Sequence, residues 1–299
     1  MIISASRRTD IPAFYADWCM RRIEERYVLV RNPMNPRQVS RVDLSPEAVD
    51  GIVFWTKNPA PMLGRLDRLR DYAYYFQFTL NAYGEDMEPR LPAWTARADT
   101  FRALADAVGK ERVVWRYDPI LLSPTYTVDH HLRSFERLAR QLSGYTDKCV
   151  ISFLDFYPKI SDAVRALGII PISDEQKRRI AGSLSEIAFS CGLVLETCAE
   201  AIDLSDIGIG YARCVDDRLL SRISGRPVKA GKDKNQRPAC GCAASVDVGA
   251  YDTCPHGCRY CYANRSKAMV EANRRGYEAA SPLLCGRLIE GDRVTERKG

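Results

Sequence analysis

Short runs of β-branched and aromatic residues alternate along this chain with longer segments whose apolar positions repeat at helical spacing. The short runs predict strands over residues 2–4, 51–55, 75–80, 112–115, 149–153, 193–196 and 244–248. Strands that alternate with helices form a parallel sheet, because each helix returns the chain to the end of the sheet at which the preceding strand began. The pattern therefore predicts an α/β fold, a parallel β/α barrel of TIM type, either partial or complete.

A second pair of apolar runs interrupts this alternation. Residues 27–31 and 38–42 are separated by Asn32-Pro-Met-Asn-Pro36, a sequence rich in turn-forming residues. This arrangement predicts a hairpin inserted between two units of the barrel.

Two helices have clear N-terminal signals. Thr9 or Asp10 precedes a segment whose helical spacing places Cys19 on the apolar face. Ser173 and Gln176 form a predicted capping box at the start of a later helix. Cys19 is therefore predicted to pack in the core and not to ligate a metal.

A third helix is predicted over residues 128–142, where leucine and phenylalanine recur on one face. His130 and His131 stand at its start. For histidines at this place we predict a surface position and no catalytic role.

Polar residues follow most of the predicted strands. They include Arg7-Arg8-Thr9-Asp10, Lys57, Asn81, Arg116, Asp118, Asp155 and Thr197-Cys198-Ala199-Glu200. In a TIM-type barrel the carboxyl ends of the strands meet at one face, where active sites are built. We therefore expect these side chains to converge on one mouth of the barrel.

Composition narrows the class of protein. The chain has 299 residues, 46% hydrophobic and 27% charged, which suits a single domain over residues 1–299 with a sizeable core. No apolar run approaches the roughly 20 residues that span a bilayer, and no signal peptide is recognisable, so we expect a cytoplasmic protein without a membrane partner. The net charge of +6 is spread along the chain, and nucleic acid is possible but not the favoured partner.

Cysteine usage points to metal chemistry. Of eleven cysteines, seven lie between Cys198 and Cys261, so residues 198–264 form a cysteine-rich C-terminal portion. An odd number of cysteines in a large chain without an export signal favours reduced thiols or metal ligands over disulfides.

Three of these cysteines have the spacing of a cluster ligand set. In Cys254-Pro-His-Gly-Cys258-Arg-Tyr-Cys261 the spacing is C-x3-C-x2-C, and three thiolates bind three irons of a four-iron cluster. The fourth iron stays open, which distinguishes a reactive centre from a saturated structural one. The alternative is a zinc site, for which His256 could be the fourth ligand only by folding back within the loop.

This motif, with Tyr260 directly before the third cysteine, is similar to the signature of the radical SAM superfamily. The resemblance implies a [4Fe-4S] cluster whose open iron binds S-adenosylmethionine, and an electron donor such as flavodoxin or ferredoxin. From Ser4-Ala-Ser-Arg-Arg-Thr-Asp10 to the cysteine loop, the chain also resembles a family known as domain of unknown function 1848.

The position of the motif predicts a permuted barrel. In radical SAM enzymes the cysteine loop usually follows the first strand. Here it follows the predicted strand 244–248 near the C-terminus and precedes a predicted helix of about residues 265–280. The termini of a barrel lie close together, so its units tolerate circular permutation. We therefore predict that residues 244–248 pair in parallel with residues 2–4, which brings Arg7, Arg8 and Asp10 to the cysteine loop.

A second group consists of Cys198, Cys214, Cys240 and Cys242. Four thiolates close the coordination of a second four-iron cluster or of a zinc ion. We favour a metal centre, and a cluster over zinc, because this density of cysteines is hard to ascribe to packing. Four free thiols are the alternative.

Charged residues at strand ends are the remaining candidates. Arg116 and Asp118 follow the predicted strand 112–115, and we expect Pro119 to end its ladder, because proline has no N–H to donate. An arginine there can hold the carboxylate of S-adenosylmethionine in a bidentate pair, although an Arg116–Asp118 ion pair closing the barrel mouth is the structural alternative. The candidate catalytic residues are Arg116, Asp118, Lys57 and Arg8. The candidate cofactor-binding residues are Tyr260, Arg7, Arg116 and Glu196.

The sequence thus predicts a radical SAM enzyme that cleaves S-adenosylmethionine reductively to start radical chemistry on an unknown substrate. A resemblance to spore photoproduct lyase in cysteine spacing and in an Arg-x-x-Pro strand end suggests a nucleic-acid lesion as an alternative substrate. The competing class is a non-catalytic protein that binds zinc or iron–sulfur clusters.

Overall fold

An eight-stranded, wholly parallel sheet forms the centre of the protein in the computed structural model, which describes residues 1–297. The strands, in chain order, are β1 (Ile2–Ala5), β2 (Tyr27–Asn32), β3 (Asn35–Asp43), β4 (Gly51–Thr56), β5 (Tyr74–Thr79), β6 (Val113–Ile120), β7 (Lys148–Phe153), β8 (Val194–Thr197), β9 (Gly210–Tyr211), β10 (Val246–Asp247) and β11 (Arg293–Glu296). The order in the large sheet is β10-β1-β4-β5-β6-β7-β8-β9. β2 and β3 form the predicted antiparallel hairpin, and β11 pairs with β3 in parallel.

Nine α-helices are described between residues 1 and 297. They are α1 (Ile11–Phe14), α2 (Ala16–Glu25), α3 (Ala60–Leu63), α4 (Trp94–Val108), α5 (Val128–Leu142), α6 (Ser161–Ala166), α7 (Asp174–Ser190), α8 (Asp217–Ser224) and α9 (Lys267–Arg275). Asp10 caps α1 by accepting from the Ala13 N–H at 3.0 Å, and the capping box of Ser173 and Gln176 opens α7 as predicted. None of the described helices is long and apolar enough to cross a membrane.

The sheet is wound in one direction. From β1 to β9, apart from the hairpin, each new strand is added on the same side of the one before it. In a doubly wound sheet the strand order instead reverses direction partway along the chain. Because crossover connections are right-handed, such an order places the helices on one face. Accordingly, Phe54, Phe76 and Trp115 pack in one core with residues of α2, α4, α5 and α7.

The opposite face of the sheet is covered by α8 and by irregular chain. Val53, Tyr75 and Val114 pack there against apolar residues of α8 and of the segment 212–243. This segment carries the chain from β9 at one edge to β10 at the other. Within residues 1–297 no ladder joins these two edges, so the structure shows a parallel α/β sheet without barrel closure.

The predicted junction of the chain ends is confirmed. β10 pairs in parallel with β1, with Ile3 opposite Val246 and Ser4 opposite Asp247. The Asp247 carboxylate accepts hydrogen bonds from the hydroxyls of Ser4 and Ser6 at 3.1 and 2.5 Å, and from the Arg7 N–H at 2.8 Å. One carboxylate therefore ties the loop after β1 to the strand before the cysteine motif.

Three predicted boundaries need correction. β10 is shorter than 244–248, and α9 is shorter than the expected helix of 265–280. β6 continues past Pro119 to Ile120, whereas we expected the proline to end the ladder. The register to β7 shifts between Tyr117 and Ile120, and such an irregularity accommodates a proline that has no N–H to donate.

The predicted surface position of His131 is wrong. Its ring is wholly buried, with Nδ1 2.9 Å from the Tyr117 hydroxyl and Nε2 2.7 Å from the Leu121 carbonyl oxygen. Burial lowers the pKa of His131 to about 4, so the ring is neutral near pH 7. The chain after β6 folds over the first turn of α5, which helical spacing alone does not reveal.

We predict that Asp247→Ala lowers the free energy of unfolding by about 3 kcal/mol, because several partly buried donors lose their acceptor. Urea unfolding followed by circular dichroism measures the change. Asp162→Ala is the control, since the Asp162 side chain is 98% exposed and its loss should cost less than about 0.5 kcal/mol. Equal effects of the two substitutions would contradict a structural role for Asp247.

Candidate metal centre

The motif cysteines lie on the loop between β10 and α9. Backbone N–H groups point at their sulfur atoms: Ala263 donates to Cys261 Sγ at 3.3 Å, and Asp10 and His256 donate to Cys254. N–H donors of this kind stabilise thiolates and tune metal–sulfur centres. The N-terminal loop thus supplies one of the donors to the C-terminal motif.

The three thiols are disfavoured as anions without a metal. Burial raises the pKa of Cys254 to about 12 and raises the pKa of Cys258 and Cys261 as well. A bound cation offsets this cost, because metal ligands are thiolates. Among residues 1–297 no three Cys, His, Asp or Glu side chains already surround a single point as ligands of one ion.

Asp10 joins the N-terminal loop to the motif. Its Oδ2 lies 2.8 Å from Nε2 of His256, within the motif, and accepts the Lys57 N–H at 2.7 Å. The His256 ring also packs edge-on against Phe14, with centroids 4.6 Å apart. Asp10 therefore orients the His256 ring through Nε2, while Nδ1 is buried with no hydrogen-bond partner among residues 1–297. A carboxylate on one ring nitrogen is also found behind metal-bound histidines, so the zinc alternative for this loop stays a prediction.

A buried ionic network fixes Tyr260. Lys57 Nζ lies 2.8 Å from the Tyr260 hydroxyl and 2.9 Å from Glu88 Oε1, and the Tyr260 hydroxyl donates to the same carboxylate. Arg97 donates to the other oxygen of Glu88 at 2.9 Å. Burial alone would raise the pKa of Glu88, but Lys57 and Arg97 hold it below its ordinary value, so the carboxylate is ionised.

Arg7 and Arg8 lie beside the motif, but aspartates engage their guanidinium groups. The Arg7 carbonyl accepts from the Tyr262 hydroxyl at 2.7 Å, while its guanidinium lies 3.5 Å from Asp233. Arg8 stacks over Tyr251 at 5.1 Å and lies 4.0 Å from Asp247. These arginines place positive charge next to the cysteine loop.

Arg116 and Asp118 form the ion pair that was the structural alternative. The guanidinium contacts Asp118 Oδ2 at 2.7 and 3.1 Å, and the Ser152 hydroxyl donates to the other oxygen. Arg116 also stacks on Trp55 at 5.4 Å, and Arg7 stacks on the same indole at 5.7 Å. The two arginines therefore share one aromatic surface on the face not covered by α1–α7.

Glu196 is engaged elsewhere. Its carboxylate pairs with Lys148 at 3.0 Å, on the face that carries Val150. No contact with the motif cysteines is found within the described chain, so the structure gives Glu196 a partner in the sheet and none in the loop.

The second cysteine group is brought together from three segments of the chain. Cys198 follows β8, Cys214 follows β9, and Cys240 and Cys242 precede β10. The Sγ atoms of Cys198 and Cys214 are 3.2 Å apart, and Arg116 donates to Cys214 Sγ at 2.8 Å.

Sequence reasoning missed Glu88 and Asp247 as organising residues. Glu88 lies in a loop after β5 with no periodic pattern, and its importance comes from partners that are distant in sequence. Asp247 sits in a two-residue strand, where nothing local distinguishes it from an exposed carboxylate. Neither residue has a motif that could have revealed it.

Comparison with protein families identifies the chain. Residues 2–263 match the family described as domain of unknown function (DUF1848), and the chain belongs to it. The match includes β1, the large sheet and all three motif cysteines. A search of curated proteins finds no match.

We predict that Glu88→Gln lowers the free energy of unfolding by about 3 to 5 kcal/mol, because Arg97 and Lys57 keep buried charges without a counter-ion. Denaturant unfolding measures this effect. Glu85→Gln, an exposed position in the same loop, is the matched control and should change stability by less than about 0.5 kcal/mol. A Glu88→Gln protein as stable as the control would contradict the ionic network.

Proposed function

We propose that the protein is a radical SAM enzyme and that Cys254, Cys258 and Cys261 hold a [4Fe-4S] cluster. The observation that carries this proposal is the loop itself, with three thiols in C-x3-C-x2-C spacing and backbone N–H donors aimed at two of them. Three protein ligands leave one iron for a substrate or cofactor. When bound and reduced by an electron donor, such a cluster would supply the one electron for reductive cleavage of S-adenosylmethionine to methionine and a 5′-deoxyadenosyl radical.

The chain's own residues support this chemistry by orienting the loop. Glu88 and Lys57 hold Tyr260 between the second and third cysteines, so the backbone there cannot turn freely. Asp10 holds His256 between the first and second cysteines. A buried polar contact thus fixes each of the two segments between the motif cysteines. A reactive centre requires ligands that are held in one geometry in this way.

Charge near the loop favours an anionic ligand. Lys57, Arg7 and Arg8 bring positive charge to the loop from two strand ends, and Arg116 adds another on the face of Trp55. The carboxylate of S-adenosylmethionine is an anion that guanidinium groups bind in bidentate fashion. We assign Arg7, Arg8 and Arg116 as the candidate ligands of this carboxylate. To bind it, each arginine would have to release the aspartate that it contacts here.

The sheet fits the proposed fold as a circularly permuted barrel core. Pairing of β10 with β1 places the cysteine loop beside the loop after β1, although the two are more than 240 positions apart in sequence. A partial barrel of TIM type, open between β9 and β10, accommodates this order. A low-potential flavodoxin or ferredoxin is the class of electron donor that such an enzyme needs.

We predict that anaerobically purified protein holds about four irons at the motif and that Cys254→Ala/Cys258→Ala/Cys261→Ala removes them. With a chemical reductant, the unchanged protein should release 5′-deoxyadenosine from S-adenosylmethionine, and the triple variant should release none. Iron analysis and chromatography measure the two outcomes.

Cys191→Ser is the matched control, because Cys191 is half-buried at the end of α7 and outside both cysteine groups. It should retain iron and activity. Zinc in place of iron at the motif would refute the proposal, as would unchanged iron in the triple variant. Iron without cleavage of S-adenosylmethionine would leave an iron–sulfur protein that is not a radical SAM enzyme.

A further inference from the structure

The four cysteines outside the motif form one connected group. The sulfur atoms of Cys214 and Cys198 are 3.2 Å apart. Cys242 lies beside both Cys214 and Cys240, close enough for each neighbour to affect its pKa. Cys214, Cys240 and Cys242 are buried and Cys198 is half-buried, so four thiols adjoin each other in a largely closed space.

The backbone holds these thiols in place. The Tyr75 hydroxyl and the Gln77 side-chain amide donate to the Cys214 carbonyl oxygen at 2.7 and 2.8 Å. The Asp233 N–H donates to the Cys242 carbonyl oxygen at 2.9 Å, and Cys198 N–H bonds to Ile151 in β7 at 2.8 Å. The sheet therefore anchors the positions from which the four side chains meet.

Hydrogen-bond donors contact two of these sulfur atoms. The Arg116 guanidinium donates to Cys214 Sγ at 2.8 Å, and the Val215 N–H donates to Cys242 Sγ at 3.4 Å. By contrast, Cys19 and Cys149 are buried within the apolar core. Packing accounts for Cys19 and Cys149, but it does not account for a charged donor aimed at a sulfur atom.

We propose that Cys198, Cys214, Cys240 and Cys242 bind a single tetrahedral metal ion of zinc type, in a site separate from the motif. With Zn–S bonds of about 2.3 Å, the sulfur atoms of such a site are about 3.8 Å apart, and those of Cys198 and Cys214 are 3.2 Å apart here. In a four-iron cluster each thiolate binds a different iron, which spreads the sulfur atoms around the cubane. The four sulfur atoms do not surround a single point within residues 1–297, so side-chain rotations would have to bring them around one ion.

Charge balance agrees with this assignment. Four thiolates and one divalent ion carry two net negative charges, which are costly to bury without a counter-ion. Arg116 contacts Cys214, and Arg7 lies near Cys242, so each of the two central cysteines of the group has a guanidinium beside it. This departs from the sequence expectation, which favoured a second cluster over zinc.

The test measures zinc, iron and acid-labile sulfide in four anaerobically purified proteins: the unchanged chain, Cys240→Ser/Cys242→Ser, Cys254→Ala/Cys258→Ala/Cys261→Ala, and the control Cys191→Ser. We expect about one zinc per chain in the unchanged protein. The Cys240/Cys242 variant should lose zinc and keep iron, while the triple variant should lose iron and keep zinc. The two patterns separate failure of this proposal from failure of the proposed function.

A measurement on the unchanged full chain covers the case in which the Cys240/Cys242 variant fails to fold. Protein produced with Co²⁺ should show thiolate-to-cobalt charge transfer and the intense d–d absorption of tetrahedral cobalt. Loss of iron and sulfide from the Cys240/Cys242 variant would overturn the single-ion assignment in favour of a cluster. Absence of zinc from the unchanged chain, together with absence of the cobalt spectrum, would return the four residues to free thiols.

Discussion

The contact between Asp247 and the loop after β1 is the constraint on which the rest of the candidate site depends. β10 has only two residues and sits at an edge of the sheet, so its ladder alone gives weak registration. Asp247 adds acceptors for Ser4, Ser6 and Arg7, which lie near the opposite end of the chain. Once these are joined, Asp10 reaches His256 and the Arg7 carbonyl reaches Tyr262. The geometry of the cysteine loop therefore follows from pairing between the two ends of the sequence.

The sequence predicted correctly the elements whose signals lie within a single segment of the chain. α5 has the predicted bounds because leucine and phenylalanine mark one face over its whole length. The capping box of α7 is a signal contained within four residues. The adjacency of β10 and β1 is a longer-range prediction that the structure confirms. It rested on the position of the motif in the chain and not on any local pattern.

The sequence could not predict features that depend on how distant segments meet. His131 carries the spacing of an exposed first turn, but Tyr117 at the end of β6 and Leu121 directly after it supply its two hydrogen-bond partners, and the ring is buried. Glu88 reads as an ordinary loop carboxylate until Lys57, Arg97 and Tyr260 converge on it. Pro119 was expected to end β6, but a local shift of register absorbs it. In each case tertiary contacts override an inference that is sound for the isolated segment.

The two cysteine groups lie on segments that differ in how well other contacts order the backbone. The motif loop is already fixed at Tyr260 and at His256 by buried polar contacts, so a metal there is not needed to order the chain. Between α8 and β10, by contrast, the described chain forms no helix or strand over some twenty residues, and an isolated bridge of Lys232 to Ala243 is its main ladder contact. Irregular chain with few backbone ladders has little to offset its conformational entropy. A tetrahedral ion with four cysteine ligands would cross-link this irregular chain and so lower its conformational entropy. A metal with an open coordination position, on a loop that is already ordered, would instead provide reactivity. The same ligand, cysteine, thus fits a structural role on the irregular segment and a chemical role at the end of the sheet.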